Sequence, residues 1–229
     1  MSLEETAKSA VETATEAAER IYSTFENRAD AVIHILGILF AINASAWLLW
    51  NVTGLSADVS VTVYCVGLLA MIGMSAAYNM TPEHFRAKDI LRRLDHSVIF
   101  IMIAGSYTPF TTQNLHGGWA WGMTAAVWSI AGLGALGKIL LPRVDRKFWV
   151  GVYLALGWLV VIAMKPMLDN TTWVALLLLG VGGLLYTTGV VFYVNKRLKF
   201  ARAIWHGHVV AAAGAHWAAV LLGVVLAAR

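Results

Sequence analysis

Residues 94–110 of the chain read LDHSVIFIMIAGSYTPF. This segment begins with a carboxylate, Asp95, and then stays apolar for long enough to enter a lipid bilayer. A charged side chain in a membrane helix costs roughly 2.5–3.5 kcal/mol at the bilayer centre, so it persists mostly where it faces a bundle interior, a wet cavity or a partner. Asp95 therefore predicts an internal polar site inside a helical membrane protein.

The composition of the whole chain supports the membrane interpretation. Hydrophobic residues make up 59% and charged residues only 13% of the 229 residues, and the mean hydropathy is +0.68. Each helical span needs about 20 predominantly apolar residues. Seven segments meet this requirement: 31–50, 59–80, 94–112, 118–140, 148–164, 173–194 and 203–227. Because these runs are long and lack alternation, we predict an all-α membrane protein with a seven-transmembrane helical bundle over residues 29–229.

Residues 1–28 have a different pattern from the rest of the chain. Apolar residues recur there at helical spacing, and glutamates occupy the other faces. The acidity is not typical of a helix that lies on an anionic membrane surface. We therefore expect a cytoplasmic amphipathic helix that packs on the basic loops, with a partner-binding arm as the alternative.

The positive charges are distributed asymmetrically between the two ends of the predicted spans. Fifteen of the 17 lysines and arginines lie before the first span or in every second connection, and only Lys165 and Arg229 lie on the other side. By the positive-inside rule this places the N-terminus in the cytoplasm and the C-terminus outside. The sequence pI of 9.3 is thus a topology signal, and we expect contact with membrane lipids and no nucleic-acid binding.

Polar residues at membrane depth gather in the cytoplasmic half of the predicted bundle. Ser75 and Asn79 are four residues apart on one helix face, as are Arg202 and His206. Four helices contribute to the whole set, which we call the polar cluster: His34, Ser75, Asn79, Asp95, Arg202 and His206. This concentration in one half of the bundle favours a single internal site.

Several stretches of the chain match a known family. They are His34-Ile-Leu-Gly37, the Ser75-x3-Asn79 region, residues 94–110, GGLLYTTGVVFY at 182–193, and Ile204-Trp205-His206 followed by His216. The chain resembles the haemolysin III family, the bacterial branch of the progestin and adipoQ receptor superfamily. The resemblance implies seven helices in the bacterial plasma (inner) membrane with a cytoplasmic N-terminus. It also implies a zinc site built from the histidine of an S-x3-H motif and both histidines of an H-x3-H motif. Related receptors and alkaline ceramidases look like zinc hydrolases of lipid amides.

The chain departs from the family pattern at the zinc ligands. Asn79 stands in place of the S-x3-H histidine and Arg202 in place of the first H-x3-H histidine, so His206 is the only ligand retained. The family asparagine four residues before the helix 1 histidine is here Asp30. An amide oxygen is a poor zinc ligand, and a guanidinium has no lone pair to give. We therefore expect a degenerate zinc site that holds no cofactor, with Arg202 paired to Asp95 while Asn79 and His206 complete the hydrogen bonds.

Three functions remain open from the sequence. The first is a haemolysin III-like membrane protein whose metal-free polar site, near the cytoplasmic face, takes a lipid or small-molecule ligand in membrane homeostasis or sensing. The second is a zinc-dependent lipid-amide hydrolase, with Ser75 and Asp95 as candidate catalytic residues. The third is a small proton or ion channel or carrier in which Asp95, His206 and His216 form a relay. The oligomeric state stays open.

Overall fold

The computed structural model describes residues 3–141, 143–195 and 197–227, with side chains from Ser23 onward. Within these residues the protein is all-helical, and no strand occurs. The helices are α1 (Leu3–Asn51), α2 (Leu55–Met80), α3 (Lys88–Gln113), α4 (Gly117–Leu140), α5 (Arg146–Gly157), α6 (Met164–Asn170), α7 (Trp173–Val194) and α8 (Ala201–Val220). A 3-10 segment, Trp158–Ala163, joins α5 to α6, and a π-helical segment, Leu221–Val225, extends α8.

Six of the described helical stretches are long and apolar enough to cross a membrane. They are Ser23–Asn51, Leu55–Met80, Gly117–Leu140, Arg146–Asn170, Trp173–Val194 and Ala201–Val225. Each corresponds to a span predicted from the sequence. The stretch Arg146–Asn170 is longer than the predicted span 148–164, because α5, the 3-10 segment and α6 follow one another without a gap. The chain is therefore a multi-pass membrane protein by the length and composition of its helices.

The remaining predicted span, 94–112, lies in α3, which has 26 residues but is too polar to join those six. Its position explains the polarity. Helix α3 packs against α2 and α4 along its length and also contacts α5 and α8. Phe100 and Ala104 on α3 are fully buried. A helix that other helices enclose presents little surface to lipid, so it tolerates polar side chains that face the bundle interior.

Helix α1 is a single continuous helix of 49 residues. The boundary that we predicted between residues 28 and 29 therefore carries no break in the helix. The predicted packing of the N-terminal amphipathic face on the basic loops depends on side chains of residues 1–22, which lie outside the described side chains.

The fourth of these six stretches, Arg146–Asn170, is interrupted where α5 changes to the 3-10 segment. The hydroxyl of Tyr107, on α3, accepts a hydrogen bond from Val160 N at 2.8 Å and directs its proton to Gly157 O at 2.7 Å and Leu156 O at 3.0 Å. Backbone groups freed inside a membrane need partners from within the protein. Tyr107 supplies such a partner and holds the interrupted helix against α3.

Candidate functional site

Asp30 is the centre of the polar contacts in the candidate site. It lies on α1, four residues before His34, and both residues are 3% exposed. Asp30 Oδ1 accepts a hydrogen bond from His206 Nδ1 at 2.6 Å, and Asp30 Oδ2 pairs with Arg202 Nε at 3.0 Å. Because His206 and Arg202 both lie on α8, the Asp30 carboxylate links the first and last long helices of the bundle.

Arg202 and His206 reach Asp30 together because they lie four residues apart on one face of α8. Arg202 also donates a hydrogen bond to Asn27 Oδ1 on α1. The Arg202 side chain is 43% exposed, whereas the Asp30 side chain is 4% exposed. The ion pair therefore joins a buried anion to a cation that water partly solvates.

His34 extends the cluster from α1 to α2. Its Nδ1 donates to the backbone carbonyl of Asp30 at 2.8 Å, and its Nε2 lies 3.2 Å from Ser75 Oγ. The His34 and His206 rings meet edge to face, with their centroids 4.4 Å apart. Local hydrogen bonding within α1 thus sets the orientation of the His34 ring toward Ser75.

Asn79 and Asp95 complete the set that we predicted. Asn79 Nδ2 donates to the Ser75 carbonyl at 2.9 Å and lies 3.4 Å from Ser75 Oγ. Asp95 is 9% exposed. Its carboxylate interacts with His206 and with the Ser75 hydroxyl. Among the described residues Asp95 forms no ion pair with a lysine or arginine.

The predicted pairing of Arg202 with Asp95 is therefore wrong. Arg202 lies in the first turn of α8, which packs against α1, and its guanidinium pairs with Asp30 on α1 instead. Sequence reasoning noted Asp30 only as a departure from the family asparagine. The useful signal was its spacing of four residues from His34, which places both side chains on one face of α1.

The six residues of the polar cluster all line one cavity of about 750 Å³. The cavity extends along α3 from Asp95 past Ile99, Met102 and Ser106 to Phe110. These residues recur every three or four positions, and 15 residues of helix correspond to about 22 Å. The walls beyond the polar cluster are mostly apolar and aromatic, including Met71, Met123, Trp158, Met167, Tyr186 and Val209. The arrangement is a long apolar cavity with one polar end.

His216 lines the same cavity but does not join the polar cluster. Its Nε2 lies 3.3 Å from the Leu179 carbonyl on α7. Ten residues of helix separate it from His206, which corresponds to about 15 Å. A direct proton relay between these two histidines would have to cross that distance, so the geometry gives the channel alternative no specific support.

The residues present do not fit the zinc site that the family resemblance implies. Asn79 and Arg202 offer no suitable ligand at two of the three positions. Asp30, His34 and His206 do bring ligand atoms within 4.8 Å of one another. However, His206 Nδ1 and Asp30 Oδ1 already bond each other, and Arg202 is paired with the second oxygen of Asp30. A metal ion there would sit beside a guanidinium and displace an existing bond, so the geometry suits a hydrogen-bonded cluster better.

Comparisons with known proteins agree on one family. The family model described as "Haemolysin-III related" matches residues 22–217. The "Hemolysin-3 homolog" of Bacillus subtilis (strain 168) is 33% identical over 210 residues, which cover 88% of this chain and 95% of that protein. "Hemolysin-3" of Bacillus cereus is 34% identical over 184 residues, covering 79% of this chain and 84% of that protein.

A more distant similarity extends to animals. The "Monocyte to macrophage differentiation factor" of Homo sapiens is 29% identical over 201 residues, which cover 86% of this chain and 83% of that protein. No solved structure matches the chain. The family model covers most of the chain and both Bacillus relatives exceed 30% identity. The protein therefore belongs to the haemolysin III-related family of membrane proteins.

Proposed function

We propose that the protein spans the bacterial plasma membrane seven times, with its N-terminus in the cytoplasm and its C-terminus outside. The six long apolar helices and the central position of α3 support seven spans. The orientation rests on the fifteen lysines and arginines that lie on one side. In this orientation the polar end of the cavity is the cytoplasmic end.

We further propose that the cavity receives a lipid or lipid-like molecule, and that the protein acts in membrane homeostasis or sensing without a bound metal. A cavity of about 750 Å³ is within the range of roughly 300–1,000 Å³ that ligand sites usually have. Its apolar walls suit an alkyl chain, and its polar end suits a headgroup.

One observation carries the metal-free proposal. Arg202, which replaces a family zinc ligand, pairs with Asp30, which replaces the family asparagine, at an Nε to Oδ2 distance of 3.0 Å. Two residues that differ from the family pattern, on two different helices, thus form one ion pair. This ion pair joins α1 to α8 without a metal.

The dependence of thermal stability on Zn²⁺ tests this proposal. A ligand that binds only the folded state raises stability by RT ln(1 + [L]/Kd). We expect added Zn²⁺ or a chelator to leave the unfolding temperature of the purified full-length protein unchanged. The triple variant Asp30→Asn, Asn79→His and Arg202→His restores the family pattern, and Zn²⁺ should stabilise it. A wild-type protein that loses stability in chelator and regains it in Zn²⁺ would contradict the proposal.

The clustering of Asp30, His34 and His206 within 4.8 Å favours one second candidate, a zinc-dependent lipid-amide hydrolase with an altered ligand set. Ser75 and Asp95 would then be the groups next to the substrate. Under this alternative the wild-type protein binds Zn²⁺ and His34→Gln abolishes the binding. The hydrogen-bonded cluster predicts no Zn²⁺ binding by either protein.

A further inference from the structure

The positive charges that line the cavity all have partners within the protein. Lys88 Nζ donates to the carbonyls of Tyr78 at 2.7 Å and Thr81 at 2.6 Å, at the C-terminal end of α2. It also lies 3.3 Å from a carboxylate oxygen of Glu83. The Lys88 ammonium therefore satisfies the last turn of α2 and is not available to a ligand.

The other three cations on the cavity wall are engaged in the same way. Arg146 donates to the carbonyls at the end of α7, Tyr193 at 3.2 Å and Val194 at 3.1 Å. Arg92 pairs with Asp89 at 3.0 Å, and Arg202 pairs with Asp30 at 3.0 Å. None of these four cavity cations faces the cavity without a partner of its own.

Asp95 is the opposite case. It is buried, it lines the cavity, and it has no lysine or arginine partner in the part of the chain that the structure describes. The Ser75 hydroxyl has one proton, and His34 Nε2 lies 3.2 Å from the same oxygen. His206 interacts with Asp95 but already bonds Asp30 through Nδ1. Among the described residues at the polar end of the cavity, Asp95 is thus a buried carboxylate that has no lysine or arginine partner and shares Ser75 and His206 with other groups.

A second acceptor lies on the helix that faces Asp95. Asn79 uses its amide nitrogen on Ser75, and no described residue donates a hydrogen bond to its Oδ1. A carboxylate and an amide oxygen are both acceptors, so a ligand that binds at this end has to donate hydrogen bonds. A protonated amine offers three N–H donors together with the positive charge.

We propose that the cavity binds a single-chain amphiphile with a protonated amine, whose ammonium pairs with Asp95 and whose alkyl chain lies along α3. This rests on the proposed function, because it names the ligand class for the same cavity. The α3 face from Asp95 to Phe110 offers about 22 Å, and one membrane acyl chain spans about 15 Å, half of the 30 Å hydrocarbon thickness. The fit favours one long chain over a compact amine.

Binding of three chains of equal length tests the proposal. Dodecylamine, dodecanoate and dodecanol are titrated into the full-length protein in a nonionic detergent, and affinities are measured by isothermal titration calorimetry. We expect dodecylamine to bind at least tenfold more tightly than dodecanoate, with dodecanol in between. Equal affinities, or a preference for dodecanoate, would overturn the proposal without requiring any variant.

Two carboxylate variants locate the amine. Asp95→Asn should weaken dodecylamine binding at least tenfold and leave dodecanol binding unchanged. Asp169→Asn removes an exposed carboxylate that, like its partner Lys165, lies outside the cavity lining, and it should change neither affinity. Unchanged dodecylamine binding in Asp95→Asn, or equally strong binding of methylammonium to the wild-type protein, would overturn the proposal.

The outcome also separates this inference from the proposed function. Tight dodecanoate binding would overturn the amine preference and leave a lipid-binding cavity in place. Failure of all three chains to bind, with Asp95 intact, would overturn both.

Discussion

At the scale of single residues, the Asp30 carboxylate explains why the site holds together. It is buried, and it accepts bonds from two residues of α8 and lies beside His34. A buried charge that loses its partner is strongly destabilising because nothing replaces the lost solvation. The exposed fraction of Arg202, 43%, lowers this cost because water can partly replace the interaction at the surface.

We predict that Arg202→Met destabilises the folded protein by about 1–3 kcal/mol, below the full cost of breaking a buried pair. Arg197→Met is the control, because Arg197 contacts Asn195 through its backbone nitrogen, which the substitution keeps. Unfolding of the purified protein in mild detergent measures both. Adding Asp30→Asn to Arg202→Met should recover part of the loss, whereas strictly additive effects would show that the two side chains are not coupled.

The six residues of the polar cluster could be picked out from the sequence, but the central role of Asp30 and the pairing of the residues could not. Polar residues in apolar runs are conspicuous, and a spacing of four residues shows that Ser75 and Asn79, or Arg202 and His206, share a face. Nothing in that spacing shows which helix a face meets. The sequence therefore favoured an ion pair between Arg202 and Asp95. In the structure α1 packs against α8, and Arg202 pairs with Asp30 instead.

At the scale of elements, α3 and the interrupted α5 shape the cavity. Helix α3 supplies one wall from Asp95 to Phe110. Tyr107 on α3 fixes the point where α5 gives way to the 3-10 segment. The long helices were predictable because an apolar run of about 20 residues is typical of a helix that spans a membrane. The interruption was not, because its partner hydroxyl comes from a helix about 50 residues earlier in sequence.

We predict that Tyr107→Phe destabilises the protein by about 1–3 kcal/mol, because Val160 N–H loses its acceptor inside the membrane. Tyr64→Phe is a matched control on α2. The Tyr64 hydroxyl is buried and makes no hydrogen bond among the described residues, so its removal should be neutral or stabilising. Equal unfolding temperatures for the two variants would argue against a special role for Tyr107.

Close packing of α3 against α4 gives a second prediction at this scale. A Cβ at Gly134 would lie 2.5 Å from Phe100 Cε1, whereas a Cβ at Gly132 would meet nothing within 4 Å. We expect Gly134→Ala to cost about 1–3 kcal/mol through overpacking. Gly132→Ala should be neutral or slightly stabilising, because alanine is favoured over glycine in a helix. The order of the two unfolding temperatures checks the α3–α4 packing.

At the scale of the whole molecule, the contacts of Asp30 close the bundle by joining α1 to α8 at the polar end of the cavity. The composition predicted a multi-pass helical protein, and the helices confirm it. The number of spans and the orientation stay predictions, because length and hydropathy do not show which side of the membrane each end faces.

Reporter fusions test the orientation. We predict that a reporter fused after residue 229 behaves as exported and that one inserted within 143–147 behaves as cytoplasmic. The reason is that fifteen of the 17 lysines and arginines lie on the same side of the predicted spans as residues 143–147. A cytoplasmic signal from both fusions would mean that an even number of helices crosses the membrane after residue 147. In that case the interrupted stretch Arg146–Asn170 is the first to re-examine.

The central claim is that fixed charges on Asp30 and Arg202 occupy the place of a metal centre. The most direct measurement is the zinc content of the full-length wild-type protein, determined by elemental analysis after gentle purification without added metal or chelator. The account predicts far less than one zinc atom per chain. One zinc atom per chain, retained through size-exclusion chromatography, would contradict it.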